Sequence, residues 1–106
     1  MNKERIKYLY KLAFTDLLTG FKNRNAYEEK LKVYIRQPEL LKGDSVVVID
    51  IDGLKQINDT YGHHSGDEAI RTIGDGIIKS FSNKNFCCRN GGDEFALFMA
   101  IYPKRF

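Results

Sequence analysis

A β-branched segment in the middle of the chain constrains the fold more than any other feature of the sequence. Residues 45–51 read Ser-Val-Val-Val-Ile-Asp-Ile without alternation of apolar and polar side chains. This pattern predicts a central β-strand that is covered on one face. The run ends in Asp50-Ile51-Asp52 followed by Gly53, so two carboxylates stand where the strand gives way to a turn. We therefore expect a functional site at the C-terminal end of this strand.

Two helices are predicted before this strand. Apolar residues at positions i, i+3, i+4 and i+7 predict a helix over residues 3–14. After a turn-forming segment, Asn25 and Glu28 have the spacing of a capping box and predict the start of a second helix, which ends before Pro38. The side chains that this second helix is expected to turn toward the core are Tyr27, Leu31, Tyr34 and Ile35.

Two more helices and a hairpin are predicted after the strand. A short helix over residues 54–60 is followed by a loop and then by a long helix over residues 67–80, where apolar and small residues repeat at helical spacing. Residues 85–90 and 93–101 favour strands, and Gly91-Gly92 between them is typical of a two-residue hairpin turn. The order α, α, β, α, α, β, β in 106 residues predicts a single α+β domain.

Composition places the chain among ordinary globular proteins. Hydrophobic residues make up 42% and charged residues 29% of the sequence, which is sufficient for a folded core. The formal net charge of +3 without a basic run does not indicate nucleic-acid binding. No apolar run approaches the roughly 18 residues of a membrane helix, and the N-terminus lacks an apolar signal region. We expect a cytoplasmic segment without membrane contact, in which Cys87 and Cys88 are buried free thiols.

Carboxylates near two strand ends predict a metal site. Asp50 and Asp52 end one strand, whereas Asp93 and Glu94 follow the two glycines of the hairpin. Magnesium prefers oxygen ligands of this kind. Carboxylates gathered at strand ends also repel one another unless a cation neutralises them. The alternative is that these acids individually cap helices or pair with Lys or Arg.

Three ordered motifs closely resemble those of the GGDEF family of diguanylate cyclases. They are DLLTGFKNR at residues 16–24, DIDGLKQINDTYGHHSGD at residues 50–67 and RNGGDEF at residues 89–95. A lone GGDEF pentapeptide would be weak evidence, but three motifs in order are specific. The resemblance implies a ferredoxin-like, palm-like α+β sandwich of the nucleotidyl-cyclase type with a mainly antiparallel sheet. Residues 1–15 would form a connecting helix and residues 16–106 a partial GGDEF domain.

The resemblance implies an activity and a set of catalytic residues. Such a domain condenses two GTP molecules into cyclic di-GMP and releases pyrophosphate. The metal, Mg²⁺ or Mn²⁺, would be bound by Asp50, the backbone carbonyl of Ile51, Asp93 and Glu94. Asp93 is also the family's candidate for helping to deprotonate the attacking 3′-hydroxyl. Metal ions would stabilise the charge that develops in this phosphoryl transfer, and Gly91-Gly92 would leave space for the α-phosphate.

The resemblance also assigns the nucleotide contacts. Asn58 and Asp67 match the family's guanine-reading positions, and a carboxylate can accept hydrogen bonds from N1 and N2 of guanine. Lys55 and the backbone amides of Gly53 and Leu54 match positions that contact the terminal phosphates. The alternatives are a turn cap for Asn58 and a helix N-cap for Asp67.

Four other features of the motifs have less specific interpretations. His63 matches a family position and His64 does not, and without a third ligand both are expected to be structural or exposed to solvent. Asp52 is expected to support its loop. Arg89 is expected to bind product or hold the acidic cluster, with a surface strand residue as the alternative. Residues 17–24 are expected to fix the first helix against the domain and to transmit signals from an upstream sensor.

The sequence departs from the family's pattern in two places. The family's product-binding R-x-x-D sequence is replaced by Ser82-Asn83-Lys84-Asn85, so feedback inhibition of that kind is not expected. The family's domain also continues past the GGDEF strand with a helix that carries phosphate-binding basic residues and with a further strand, whereas this sequence ends at Phe106. We therefore expect a truncated domain, stabilised by swapping or dimerisation, with impaired activity.

Three functions follow from these features. The leading hypothesis is a diguanylate cyclase that acts as a homodimer in which each subunit presents one GTP. The second is a catalytically weak GTP-binding module with a regulatory or dimerisation role. The third is another palm-like nucleotidyl transferase or cyclase, against which Asn58 and Asp67 argue because they match guanine-reading positions.

Isothermal titration of the chain with cyclic di-GMP tests the first departure. Because the Arg and Asp of the family's product site are missing, we expect no tight binding that depends on Ser82 or Asn85. Tight binding that is lost in Ser82→Ala or Asn85→Ala would contradict this expectation.

Overall fold

A computed structural model describes residues 2–41, 43–81 and 86–100 of the chain. Its elements, in chain order, are α1 (Lys3–Phe14), α2 (Arg24–Arg36), a 3₁₀ turn (Pro38–Leu41), β1 (Asp44–Asp50), α3 (Leu54–Tyr61), α4 (His63–Ser80), β2 (Phe86–Arg89) and β3 (Glu94–Ala100). The predicted order of helices and strands and the α+β class are confirmed.

β3 is the centre of an antiparallel sheet with the order β1-β3-β2. Side chains of successive strand residues point to opposite faces. Accordingly, Phe95 and Leu97 belong to one apolar cluster and Ala96 and Phe98 to another. All four are buried, so helices must cover β3 on both faces.

β1 forms an edge of the sheet in the part of the chain that the structure describes. Its burial alternates: Val47 and Ile49 pack into the core, whereas Val46 and Val48 are 38% and 49% exposed. The strand is covered on one face, as predicted, because α2 packs over β2 and β3 and leaves the other face of β1 uncovered. The prediction that it is central was wrong for the described sheet, in which β3 takes that position.

α3 and α4 cover the other face of the sheet. Their buried side chains Leu54, Ile70 and Ile77 form one cluster with Phe95 and Leu97 of β3. The helical spacing of Ile70 and Ile77 places both on one face of α4, because i and i+7 are two turns apart. The amphipathic pattern predicted for this helix is therefore confirmed.

α2 packs against the opposite face through aromatic side chains. The rings of Tyr27 and Tyr34 lie 5.6 Å from the ring of Phe98 between centroids, and Leu31 packs beside them. Ile35 was also predicted to face the core, but it is 76% exposed. It follows Tyr34 directly and is thus rotated by about 100° around the helix axis from the packed face.

The N-terminus of α2 is capped by a different residue from the one predicted. Asn23 is the N-cap, and its side-chain oxygen accepts a hydrogen bond from the N–H of Ala26 at 3.1 Å. Asn25 lies inside the helix, and Glu28 pairs with Arg24 at 3.0 Å. The capping start at Asn25 and Glu28 was therefore wrong, because the earlier asparagine occupies the cap.

α3 and α4 are joined by one residue, where the sequence predicted a longer loop. Gly62 has φ 93°, a conformation that glycine adopts at least cost, and α4 begins at His63. The expected start at residue 67 was wrong by a full turn. Asp67 lies inside α4, which excludes the N-cap alternative. Asn58 lies inside α3. Its backbone carbonyl accepts a hydrogen bond from the N–H of Gly62 at 2.8 Å.

The β2–β3 hairpin is confirmed, but its turn is longer than predicted. The N–H of Asn90 donates to the carbonyl of Glu94 at 2.8 Å, which leaves Gly91, Gly92 and Asp93 as the loop. Neither glycine has a positive φ, whereas two-residue hairpin turns require one. The two-residue turn was therefore wrong. The expectations for residues 82–85 and 101–106 lie outside the described residues.

The two cysteines form no disulfide. Cys88 is buried under α2, and burial, together with the neighbouring Cys87, raises the pKa of Cys88 to about 12. Burial also raises the pKa of the half-buried Cys87. Both groups therefore remain protonated thiols at neutral pH. The prediction of a buried thiol is confirmed for Cys88, whereas Cys87 is only half-buried.

α1 has the bounds that the sequence predicted. The side chain of Asn2 caps it by accepting the N–H of Arg5 at 2.8 Å, and none of its residues is buried. Among the helices that the structure describes, α1 included, none is both long and apolar enough to cross a membrane.

Leu97→Ala and Leu17→Ala test the assignment of the core with the same chemical change. Leu97 is fully buried in β3, and we expect its truncation to lower the free energy of unfolding by about 2–5 kcal/mol, because methyl groups are lost and a cavity remains. Leu17 is 83% exposed, and we expect an effect within about 0.5 kcal/mol. Urea unfolding of both variants checks this, and equal losses would contradict the described packing.

Candidate active site

The pairing of β1 with β3 makes the backbones of the four predicted metal ligands neighbours. Asp50 and Glu94 are partners in the antiparallel register. One residue further, the N–H of Ile51 donates to the carbonyl of Asp93 at 2.8 Å. Two motifs that are distant in the sequence are therefore neighbours at the C-terminal end of β1, as the sequence indicated.

At this end of β1, carboxylate oxygens that can act as metal ligands face the solvent. Asp50 and Asp93 are exposed, and within the described residues neither forms an ion pair. Glu94 is half-buried and accepts a hydrogen bond from Nδ2 of Asn90 at 3.2 Å. Hard oxygen donors of this type fit Mg²⁺ or Mn²⁺, which bind carboxylates and retain water. No group of three or more His, Cys, Asp and Glu side chains in the described ranges is arranged as a metal site, so the metal ligands stay a prediction.

A shallow depression of about 250 Å³ lies beside this strand end. We call it the α3 depression, and its lining consists of Leu54, Lys55, Asn58, Asp59, His63, Gly92 and Asp93. Five of these seven residues were assigned to substrate or catalysis from the motifs. No role was predicted for Asp59, and His63 was expected to be structural or exposed to solvent. The structure confirms that His63 is exposed, and it adds both residues to the lining.

The N-terminus of α3 opens toward this depression. Gly53 has φ 78° and is the N-cap of α3, and no side chain caps the helix. The left-handed conformation explains a glycine at this position, because a Cβ atom would be strained there. The amides of Gly53 and Leu54, with the ammonium of Lys55, suit an anionic ligand chemically. Their contact with phosphates stays a prediction.

The two residues assigned to guanine lie on different helices. Asn58 is half-buried on α3 and lines the α3 depression. Asp67 is half-buried on α4 and follows Gly66, whose backbone packs against the Asn58 side chain. Asp67 itself is not part of the lining. The structure therefore brings Asn58 to the depression and places Asp67 on the neighbouring helix.

The glycines of the hairpin leave space in front of β3. Gly91 and Gly92 are exposed, and a Cβ atom on either would meet no other atom within 4 Å. Gly92 lines the α3 depression, whereas Gly91 does not. Their assignment to the α-phosphate stays a prediction that this open space permits.

Arg89 connects the hairpin loop to the first motif. Its Nη1 atom lies 3.2 Å from Oδ1 of Asp16, and its Nη2 atom donates to the carbonyl of Gly92 at 3.0 Å. The side chains of Arg89 and Asp16 are only 17% and 18% exposed. Asp16 also accepts hydrogen bonds from the N–H and the hydroxyl of Thr19. Arg89 is thus a half-buried connection between two motifs and not a surface strand residue.

The first motif is also attached to β2 through the backbone. The N–H of Lys22 donates to the carbonyl of Cys87 at 3.0 Å, and the N–H of Arg89 donates to the carbonyl of Lys22 at 2.8 Å. These bonds fix residues 17–24 against the sheet. A role of this segment in transmitting a signal stays a prediction.

Asn90 is a site residue that the sequence analysis missed. It is buried, and it supports Glu94 through the 3.2 Å hydrogen bond from Nδ2. Its Oδ1 atom is buried without a partner among the described residues. The backbone carbonyl of Asn90 accepts a hydrogen bond from Arg24 at 3.4 Å. In the sequence, the position of Asn90 between Arg89 and the two glycines could have drawn attention to it. Its burial, however, follows only from tertiary packing.

A double-mutant cycle tests the connection between Arg89 and Asp16. We expect Arg89→Met, Asp16→Asn and the double variant to give a coupling free energy of about 1–3 kcal/mol in urea unfolding, because the pair is shielded from water. The exposed pair of Lys32 and Glu29 is the matched control, and its cycle should give less than about 0.5 kcal/mol. Equal coupling in both cycles would contradict a special role for Arg89.

The comparison with known proteins agrees with the family that the motifs indicated. The family model for the diguanylate cyclase GGDEF domain matches residues 13–105. Diguanylate cyclase DgcS of Shewanella oneidensis is 38% identical over 88 residues, which are 82% of this chain and 30% of that protein. Cyclic di-GMP phosphodiesterase PdeR of Escherichia coli is 37% identical over 93 residues, which are 88% of this chain and 14% of that protein.

A solved structure agrees with the fold. The coiled coil and GGDEF domain of DgcB from Caulobacter crescentus, in complex with c-di-GMP, has a TM-score of 0.83 and 31% sequence identity. The similarity covers 95% of this chain and 53% of that chain. This chain therefore spans less than a third of the two curated relatives and about half of the solved structure. The matched family model, the shared motifs and the shared fold show that the chain belongs to the GGDEF domain family of diguanylate cyclases.

Proposed function

We propose that this chain forms the GTP- and metal-binding part of a diguanylate cyclase, which condenses two GTP molecules into cyclic di-GMP and two pyrophosphates. The observation that carries the proposal is the register of β1 and β3. It sets Asp50 opposite Glu94, directly beside a depression that contains Lys55 and Asn58. Acidic metal ligands and polar nucleotide contacts thus share one strand end.

The metal would be Mg²⁺ or Mn²⁺, bound by Asp50, the carbonyl of Ile51, Asp93 and Glu94. When bound, it supplies positive charge that stabilises phosphoryl transfer. Asn90 holds Glu94 through its amide at 3.2 Å, and the carbonyl of Asp93 is engaged by the N–H of Ile51. The first contact holds the Glu94 carboxylate itself, and the second holds the backbone at Asp93.

The nucleotide would occupy the α3 depression. Lys55 and the amides of Gly53 and Leu54 bind the terminal phosphates at the uncapped start of α3. The open backbone of Gly91-Gly92 accommodates the α-phosphate. Asn58 and Asp67 read guanine, because carboxylate and amide groups complement its N1, N2 and O6 edge.

The reaction joins two nucleotides and therefore needs two facing sites. The 3′-hydroxyl of one GTP attacks the α-phosphorus of the other, the bond to the bridging oxygen breaks, and pyrophosphate leaves. Asp93 accepts the hydroxyl proton. Repetition of the step closes the ring, so the proposal includes a symmetric homodimer in which each subunit presents one GTP.

The proposal also covers the longer protein, the compartment and the partners of the chain. The curated relatives are much longer than this chain, which supports an upstream sensor domain in a longer protein. Use of GTP supports a cytoplasmic location. Nucleic acid and membrane are not partners in this proposal.

The second candidate is a GTP-binding regulatory module with little turnover. Two observations favour it. A relative with 37% identity is named a cyclic di-GMP phosphodiesterase, although its match to this chain covers 14% of its length. In addition, the acidic side chains of the described residues are not assembled as a metal site. The two candidates differ in turnover and not in GTP binding.

Incubation of the purified chain with GTP and MgCl₂, followed by chromatography, tests the proposal. We expect cyclic di-GMP to form, and Asp93→Asn to lower its rate by about 100-fold or more, because proton transfer and metal binding are both impaired. Asp75→Asn changes an exposed aspartate of α4 outside the α3 depression and is the matched control. We expect its rate to remain that of the unchanged chain.

The outcomes separate the two candidates. GTP binding without product supports the regulatory module. Absence of both product and GTP binding would contradict both candidates. Equal rates in Asp93→Asn and Asp75→Asn would contradict the catalytic role of Asp93.

A further inference from the structure

We propose that Gly66 is a positioning residue that sets the orientation of the Asn58 amide and thereby the base preference of the α3 depression. The proposal rests on the proposed function, because it takes Asn58 as a guanine contact. It adds a residue of α4 that binds no ligand itself and acts through its lack of a side chain.

The packing of α3 on α4 leaves no room for a Cβ atom at Gly66. Gly66 is buried, and a Cβ atom built on it would overlap Oδ1 of Asn58 and lie 2.8 Å from Cγ and 3.4 Å from Nδ2 of the same side chain. Contacts below 3.0 Å do not occur for real Cβ atoms. The Asn58 amide therefore occupies the space that any other residue at position 66 would need.

The backbone does not explain this glycine. Gly66 lies inside α4 and has no positive φ, so the conformation is open to any residue. Glycine in a helix interior is less favourable than alanine. A glycine at this position thus lowers the helix propensity of α4, and the space for Asn58 is the reason that the structure offers.

The other glycines of α4 show that the close contact is specific to Gly66. A Cβ atom at Gly74 would make ordinary contacts of 3.7–3.9 Å with Phe21, Phe95 and Thr19. A Cβ atom at Gly76 would meet nothing within 4 Å. Gly76 therefore offers a matched control for substitution in the same helix.

A Cβ atom at position 66 would displace the side chain of Asn58, whereas the two helices would keep their positions. The overlapping atoms are the terminal amide atoms, which move by rotation about two side-chain torsions. Hydrogen bonds weaken steeply when their angle or distance departs from the optimum. A displaced amide would lose its contact with guanine, and we expect GTP affinity to fall by about 10- to 100-fold, the size of one lost hydrogen bond.

The experiment measures GTP and ATP binding by isothermal titration in Gly66→Ala, Asn58→Ala, the double variant and Gly76→Ala. We expect the unchanged chain to prefer GTP. Gly66→Ala should lose about 10- to 100-fold in GTP affinity with unchanged ATP affinity, and Gly76→Ala should retain both affinities. In the double variant, Gly66→Ala should add no loss to that of Asn58→Ala, because the group that it displaces is absent.

A second measurement needs no nucleotide. The side-chain ¹H–¹⁵N signal of Asn58 in the free protein should shift in Gly66→Ala and stay in place in Gly76→Ala. If Gly66→Ala fails to fold, the double variant decides: recovery of folding supports the contact, and failure to recover overturns it.

Several results would overturn the inference. These are an unshifted Asn58 signal, unchanged GTP affinity in Gly66→Ala, and additive losses in the double variant. Absence of GTP preference in the unchanged chain would instead contradict the proposed function and the effect on base preference. The Asn58 signal would then still decide whether Gly66 positions the amide.

Discussion

The antiparallel pairing of β1 with β3 is the constraint on which the rest of the structure depends. Its register sets Asp50 opposite Glu94 and, in the same ladder, Val47 opposite Leu97. A slip by one residue would turn every side chain of β1 to the other face. It would remove Val47 from the core and would separate Asp50 from Glu94. The hydrophobic core and the candidate site are therefore fixed by the same register, and packing that contains no functional group holds the site in place.

The two glycines of the hairpin loop depend on a second constraint, because the backbone bond from Ile51 reaches only as far as Asp93. Arg89 holds this loop through the carbonyl of Gly92 and is itself held by Asp16 of the first motif. An arginine with several donors suits such a connection, since its planar group can bind a carboxylate and a carbonyl together. The position of Gly91-Gly92 therefore depends on a segment that precedes the whole sheet in the chain. This explains physically why the first motif accompanies the other two.

The sequence predicted the elements well and their ends less well. Helical periodicity predicted α1 and the packed face of α4. In α4 the apolar stripe is buried at Ile70 and Ile77, whereas no residue of α1 is buried. The errors occurred where one residue decides the geometry: Gly62 replaces a predicted loop, Asn23 takes the cap from Asn25, and Ile35 falls just outside the packed face of α2. Motifs indicated that the end of β1 lies beside the hairpin, but Asp67, which they assigned to the same site, is not part of the lining of the α3 depression. They did not indicate Asn90 or the space at Gly66, because both are defined by contacts between elements that are distant in the sequence.

The exposed carboxylates of the strand end have a consequence for the proposed reaction. The side chains of Asp50 and Asp93 are both exposed, so water screens their negative charges. A bound cation and a triphosphate would replace this water, and each would lower the cost of the other, since the metal neutralises both carboxylates and phosphates. In the proposed site, metal and nucleotide binding would then be coupled, and the coupling would be reciprocal in free energy. A strand end with a paired backbone and with exposed Asp50 and Asp93 side chains is suited to binding a cation and a triphosphate together.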